Sequence, residues 1–174
     1  MPIRITDHWS VGNYTTVYPE YHYSITFDTN TQTAQVIKGV YKPEDNDNCK
    51  DGRYAPHCKL NNTGNIGVCL CSMFGASEKE ITNTKFPITK QQAELMFELN
   101  AELCIKYNIP TCEVKTHFER DRKLGDKKDG KIDIIYMACY PEVKRMEVGD
   151  FIRQKTQWYI DKKKKGEIAI KYVK

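Results

Sequence analysis

"NIGVCLCSMFGA", residues 65–76, is a nearly continuous apolar run bounded by glycine. A strand with one wet face would alternate. This run does not, and its apolar core has the length of a strand rather than a helix. Strands buried on both faces lie in the middle of parallel or mixed sheets covered by helices. The run therefore predicts a central strand, and its neighbours can be read on either side. Upstream, "RITDHWSVG" reads as a first strand ending in a Gly turn. "YHYSITFDT" alternates, and "AQVIKGVY" follows it after the turn residues "DTNTQT", which predicts a hairpin. Downstream, "TKQQAELMFELNAELCIKYN" predicts a helix. Thr89 and Gln92 have capping-box spacing, and Met96, Leu99, Leu103 and Tyr107 recur at helical spacing as a core stripe. "CEVKTHF" is a further short strand. "GDFIRQKTQWYIDKKKK" is a second helix, with Asp150 as N-cap and lysines towards the C-terminal end, where the helix dipole favours them. Its four-Lys run reads as a solvated face, and "EIAIKYVK" alternates like an edge strand. The expected class is α/β (mixed): one central mixed β-sheet flanked by helices.

A chain of 174 residues is long enough to bury one sizeable core, so a single domain over residues 1–174 is expected. The charged fraction of 29% and apolar fraction of 40% do not suggest disorder. The formal net charge of +4 is compatible with an anionic partner without requiring one. "MPIRITDHWSVG" has no apolar core or cleavage site of a secretory signal, and no apolar run is long enough to cross a membrane. These features set the expectation of a cytoplasmic protein with no stable membrane association and with its seven cysteines reduced. A nucleic-acid role rests only on the basic tail and has no helix-turn-helix or RNA-binding motif behind it. No nucleic-acid partner is expected.

Two metal motifs are considered and set aside. "CLC" puts Cys69 and Cys71 on one face of a strand, whereas a zinc ribbon needs CxxC pairs. "DNDNCKDG", inside the long loop "KPEDNDNCKDGRYAPHCKLNNTG", faintly resembles a calcium loop, but Lys50 stands where Gly is needed and the closing Glu is missing. The length of that loop points to a functional role.

The four histidines carry more. His8 falls at the end of the first strand and His117 at the end of a later one, and strand ends deliver side chains into clefts. Asp133 lies 16 residues beyond His117, across a charged stretch. Two imidazoles and a carboxylate with an open fourth position make the usual catalytic zinc site. Cys139 or Cys112 is the alternative third ligand.

The blocks "HWSVGNY", "YHYSI", "HCKLNNTGNIGVCLCSMFGA", "FPITKQQAELMFELNAELC", "THFE", "GKIDI" and "VGDFIR" occur in that order. Together they resemble the zinc-dependent N-acetylmuramoyl-L-alanine amidases of the type-2 fold, shared with peptidoglycan recognition proteins, and within them the phage endolysin branch. The resemblance spans roughly residues 5 to 160. It implies one catalytic domain holding one Zn2+ per chain and acting on peptidoglycan as a monomer. It implies His8, His117 and Asp133 as ligands, Lys131 as an oxyanion-stabilising cation, Tyr21 as a catalytic tyrosine facing the metal site and His57 as a substrate-binding residue. It implies an endolysin held in the host cytoplasm until it reaches the wall. Cys69 stands where many bacterial relatives carry a catalytic Glu, so the general base stays open, with His57 and Glu119 as candidates after Tyr21. Trp9 is read as a core residue. A peptidoglycan-binding module that does not cut is the competing expectation.

Overall fold

The computed structural model describes residues 1–123 and 130–173. Five strands form one sheet in the order β3-β2-β4-β1-β5. They are β1 (Arg4–Trp9), β2 (Tyr23–Asp28), β3 (Thr33–Lys38), β4 (Asn65–Leu70) and β5 (Val114–Thr116). β4 pairs in parallel with β1 on one side and β2 on the other, β1 pairs in parallel with β5, and β2–β3 is the antiparallel hairpin. The sheet is mixed, and the α/β expectation holds. All six residues of β4 are buried, as the uninterrupted apolar run requires, whereas the edge strand β3 is mostly exposed.

The helices are α1 (Lys90–Tyr107), α2 (His117–Lys123) and α3 (Val148–Lys164). α1 begins with the expected capping box: the Gln92 amide N–H donates to Thr89 Oγ1 and the Thr89 amide N–H to Gln92 Oε1, both at 3.2 Å. Met96, Leu99, Leu103 and Tyr107 are all buried. Gln92 also ties the helix to the sheet, donating to the carbonyls of Ile25 and Cys71 at 3.0 Å each. Trp9 lies in the core. None of the described helices is long and apolar enough to cross a membrane.

The period of two along β1 sorts its side chains between two environments. Asp7 meets α1, where Asn100 Nδ2 donates to both carboxyl oxygens at 3.1 and 2.9 Å. Thr6 and His8 point to the other face, where the long loop of residues 43–64 lies. In the β1–β4 register Thr6 pairs with Gly67 and His8 with Cys69. One face of this central pair is thus a packing face and the other a chemical one.

Four expectations need correction. Residues 117–123 form α2 rather than opening a charged loop; positions 124–129 of that stretch lie outside the described residues. α3 starts at Val148, so Asp150 lies within its first turn, and its carboxylate pairs with Arg153 at 2.7 Å instead of capping. The four-Lys run is not all solvated. Helical periodicity turns Lys163 towards α1, where its Nζ donates to Glu98 (2.9 Å), Glu102 (2.8 Å) and the Ala169 carbonyl (2.6 Å). Among the described residues of "EIAIKYVK", 167–173, there is no strand. The fully buried Glu102 carboxylate accepts the backbone N–H groups of Lys171 (2.8 Å), Tyr172 (2.6 Å) and Val173 (3.2 Å), so these donors go to a side chain rather than to a sheet edge.

Two tests follow from these buried carboxylates. Burial is the largest influence on Asp7 and raises its pKa to about 8, against the lowering effect of Asn100. The unfolded chain holds that proton only below about 4. Asp7 therefore contributes stability that is full below about pH 4 and is lost as pH rises towards 8. Denaturant titrations of Asp7→Asn should show this pH dependence flattened and the variant more stable than the parent at pH 8. Glu102→Ala leaves Lys163 and three backbone donors without their acceptor. It should cost about 3–5 kcal/mol by chemical denaturation, with fast amide exchange at residues 171–173.

Candidate metal centre

Three elements converge on the chemical face of the sheet. β1 brings His8 up in its parallel ladder. β5 ends at Thr116, and His117 follows as the first residue of α2. That turn is locked locally: the Thr116 amide N–H donates to Glu119 Oε2 (2.9 Å) and the Glu119 amide N–H to Thr116 Oγ1 (3.2 Å). Asp133 arrives on the segment after Gly130. Two bonds tie this segment to α2: Phe118 N–H to the Asp133 carbonyl (2.6 Å) and Lys131 N–H to Asp121 Oδ2 (3.2 Å).

Asp133 Oδ2 sits 3.0 Å from His8 Nδ1 and 3.2 Å from His117 Nδ1. The three residues are buried, and each offers one ligand atom within 4.8 Å of the other two. Ligand bonds of about 2.0–2.1 Å in a tetrahedron put neighbouring donor atoms about 3.3 Å apart. The observed separations fit, so the residues could hold a metal ion. Cys139, on the segment after Asp133, and the exposed Cys112 are not among these three residues.

The electrostatics of the three are coupled. Burial, then the neighbouring His117, lowers the pKa of His8 to about 4 despite its bond to Asp133. Burial also works against charge on His117, but bonds to Asp133 and to the Cys58 side chain outweigh it and raise its pKa to about 9. Burial alone would raise the Asp133 carboxyl, yet the His117 and His8 hydrogen bonds hold it well below the usual carboxylate range. The carboxylate is charged at any working pH and faces two imidazole nitrogens.

Tyr21 lies just ahead of β2, its ring centroid 5.0 Å from that of His8. Its phenol is pushed far up, first by burial and then by the neighbouring Cys69 and Asp133, so it remains a neutral donor. Burial pushes the neighbouring Cys69 thiol well above its ordinary range, and its Sγ faces the Leu70 carbonyl at 3.7 Å. Lys131 is exposed, and its charge reaches the site weakly, as one contribution lowering the His8 pKa. Glu119 is committed elsewhere: besides Thr116 it pairs with Arg153 at 2.8 Å, and a Cβ on Gly149 would come within 2.4 Å of its carboxylate. His57 stands behind His8, 6% exposed, with Nδ1 on His8 Nε2 (3.0 Å) and Nε2 on the Asn65 carbonyl (3.0 Å). The sequence reading missed Asp121, whose carboxylate holds the Lys131 backbone two residues before Asp133; no motif marks it.

No family model matches the chain, and neither does any curated protein. Solved structures similar to it include a mutant of PlyL, at 18% identity over 90% of this chain and 85% of that one, with a TM-score of 0.48. Another is the N-acetylmuramyl-L-alanine amidase AmiD from E. coli in complex with its substrate anhydro-N-acetylmuramic acid-L-Ala-D-gamma-Glu-L-Lys, at 15% identity and a TM-score of 0.47. The match covers 72% of this chain and 52% of that one. A third is the solution structure of the PlyG catalytic domain, at 16% identity over 99% and 87% of the two chains, with a TM-score of 0.42.

Proposed function

We propose that the chain is a zinc-dependent amide hydrolase that cuts peptidoglycan between N-acetylmuramic acid and L-alanine, acting as an endolysin. The observation that carries this reading is the meeting of His8 Nδ1, His117 Nδ1 and Asp133 Oδ2 at one buried point. The ordered sequence blocks that resemble type-2 amidases support it independently. All three expected ligands are retained and brought together, which favours an enzyme over a module that only binds the wall.

His8, His117 and Asp133 would hold the ion, their anchoring on β1, on α2 and on the segment tied to α2 fixing the donors before it arrives. When bound, zinc supplies a Lewis acid for the scissile carbonyl and lowers the pKa of water at its open position to about 7. Lys131 contributes a cation towards the oxygen on which charge develops, an interaction that strengthens as the carbonyl becomes tetrahedral. Its backbone bond to Asp121 holds its place two residues before Asp133. Tyr21 would act as a proton relay. Its phenol, held neutral by burial, is a hydrogen-bond donor at every working pH; it would pass its proton towards the amide nitrogen that must leave as it takes up the one released by the attacking water, so that no buried phenolate is left. Cys69, beside it, stays a protonated thiol and is no base.

Elemental analysis should find one zinc per chain in the parent and a large loss in His117→Ala and Asp133→Ala. Full occupancy in either variant would remove the ligand assignment. Incubation with a strong chelator should abolish wall lysis, and added zinc should restore it. Mass analysis of digested peptidoglycan should show free stem peptides beginning with L-alanine.

Tyr21 and Cys69 should separate chemistry from packing. Tyr21→Phe should lose on the order of a hundredfold or more in turbidity-clearing rate while keeping its zinc. Cys69→Ala should lose mainly stability, through the small cavity left beside His8. A Tyr21→Phe protein nearly as active as the parent would take Tyr21 out of the reaction.

A further inference from the structure

We propose that His57 is a positioning residue that fixes the tautomer of the imidazole His8. The proposal rests on the metal reading above and gives a task to the long loop before β4.

The proton count starts at the far end of the chain of contacts. The Asn65 carbonyl accepts only, so His57 Nε2, 3.0 Å away, must carry a hydrogen and donate. A neutral His57 then has a lone pair on Nδ1. His8 Nε2 lies 3.0 Å from that lone pair and must therefore be the donor. A neutral His8 that donates from Nε2 has its own lone pair on Nδ1, the atom 3.0 Å from Asp133 Oδ2. Lone pair and carboxylate can share that contact only with a cation between them; with none there, Nδ1 carries the proton that Asp133 accepts. With an ion in place, three contacts thus pass one orientation outwards: backbone carbonyl, His57, His8, metal point. His117 presents its own Nδ1 to the same carboxylate oxygen. A ligating imidazole held from behind in this way is a more basic and better aligned donor.

The loop is built to hold His57 still. Asn46 is fully buried, and its Oδ1 accepts the Ala55 N–H (2.8 Å) while its Nδ2 donates to the carbonyls of Ala55 (3.1 Å) and Asn62 (3.1 Å). Asn62 Oδ1 accepts the Cys58 N–H at 2.8 Å. Asn65 Oδ1 accepts the Thr6 hydroxyl at 3.0 Å, which joins the loop's end to β1. Space is made for the ring as well. A Cβ on Gly67 would stand 2.5 Å from Cγ of His57, so the centre of β4 has a glycine where the imidazole lies. A surface residue waiting for substrate has no use for such a seat. His57 is 6% exposed, with both nitrogens already committed.

The test reads tautomers and zinc affinity rather than lysis. Long-range 1H–15N correlation spectra of the zinc-loaded parent should show His8 protonated at Nε2. His57→Phe, which keeps ring volume and removes both nitrogens, should release the His8 preference. It should weaken zinc binding about 10–100-fold in chelator competition, with an unchanged circular dichroism spectrum. His57→Gln, whose amide can accept from His8 and donate to Asn65, should recover most of that affinity. If His57→Phe does not fold, His57→Leu, smaller and equally without a ring nitrogen, carries the same comparison. Unchanged tautomers and parent-like affinity in the variants that fold would overturn the proposal. A parent that binds no zinc, yet whose His8 tautomer depends on His57, would sink the metal reading and leave the positioning role standing.

Discussion

One carboxylate oxygen organises this molecule. Asp133 Oδ2 lies within 3.2 Å of an imidazole nitrogen from each of two elements far apart in sequence. Neither contact is local, since Asp133 is 125 residues from His8 and 16 from His117. Holding charge at such a buried point is costly unless every neighbour is oriented towards it. Much of the surrounding structure does that orienting. The parallel β1–β4 register sets His8 beside Cys69, the capping of α2 sets His117, and the Phe118 and Asp121 contacts set the Asp133 segment.

The sheet separates two kinds of buried polar group. On the α1 side, Asp7 is neutralised by its burial and meets only an amide. On the opposite side, Asp133 remains charged because imidazoles surround it. The two carboxylates attach to the same short region of the fold, and their surroundings push their proton affinities in opposite directions. Such a split is what a site needs if one carboxylate is to bind a cation and the other to stay out of the chemistry.

The fold was largely legible because its signals were periodic. The unbroken apolar run of β4, the alternation of β2 and β3 and the helical stripe of α1 each reflect burial that repeats along the chain. The trio that could hold a metal was legible for another reason: His8 and Asp133 sit in short blocks whose order can be read directly. What escaped depended on contacts that no period encodes. Lys163 looks like one more lysine in a run until α1 brings Glu98 and Glu102 to meet it. The last residues alternate as a strand would, but a side-chain carboxylate takes their amides first. Asp150 has the chemistry of a cap and lies one turn too far in. His57 was read as a substrate contact, and its place behind His8 comes from a loop held by asparagine side chains.

The Glu102 latch has a kinetic meaning. Its contacts join residues 69 to 71 positions apart, between the middle of α1 and the last described residues. Closing a loop of that size costs entropy before any bond is made, and the final residues can do so only once α1 and α3 are already packed. Interactions that form after the rate-limiting step do little to hasten folding and act instead by slowing escape from the native state. Residues 171–173 are thus a brake on unfolding, and weakening their hold on Glu102 would shorten the lifetime of the folded protein while leaving the candidate metal site, on the far side of the sheet, in place.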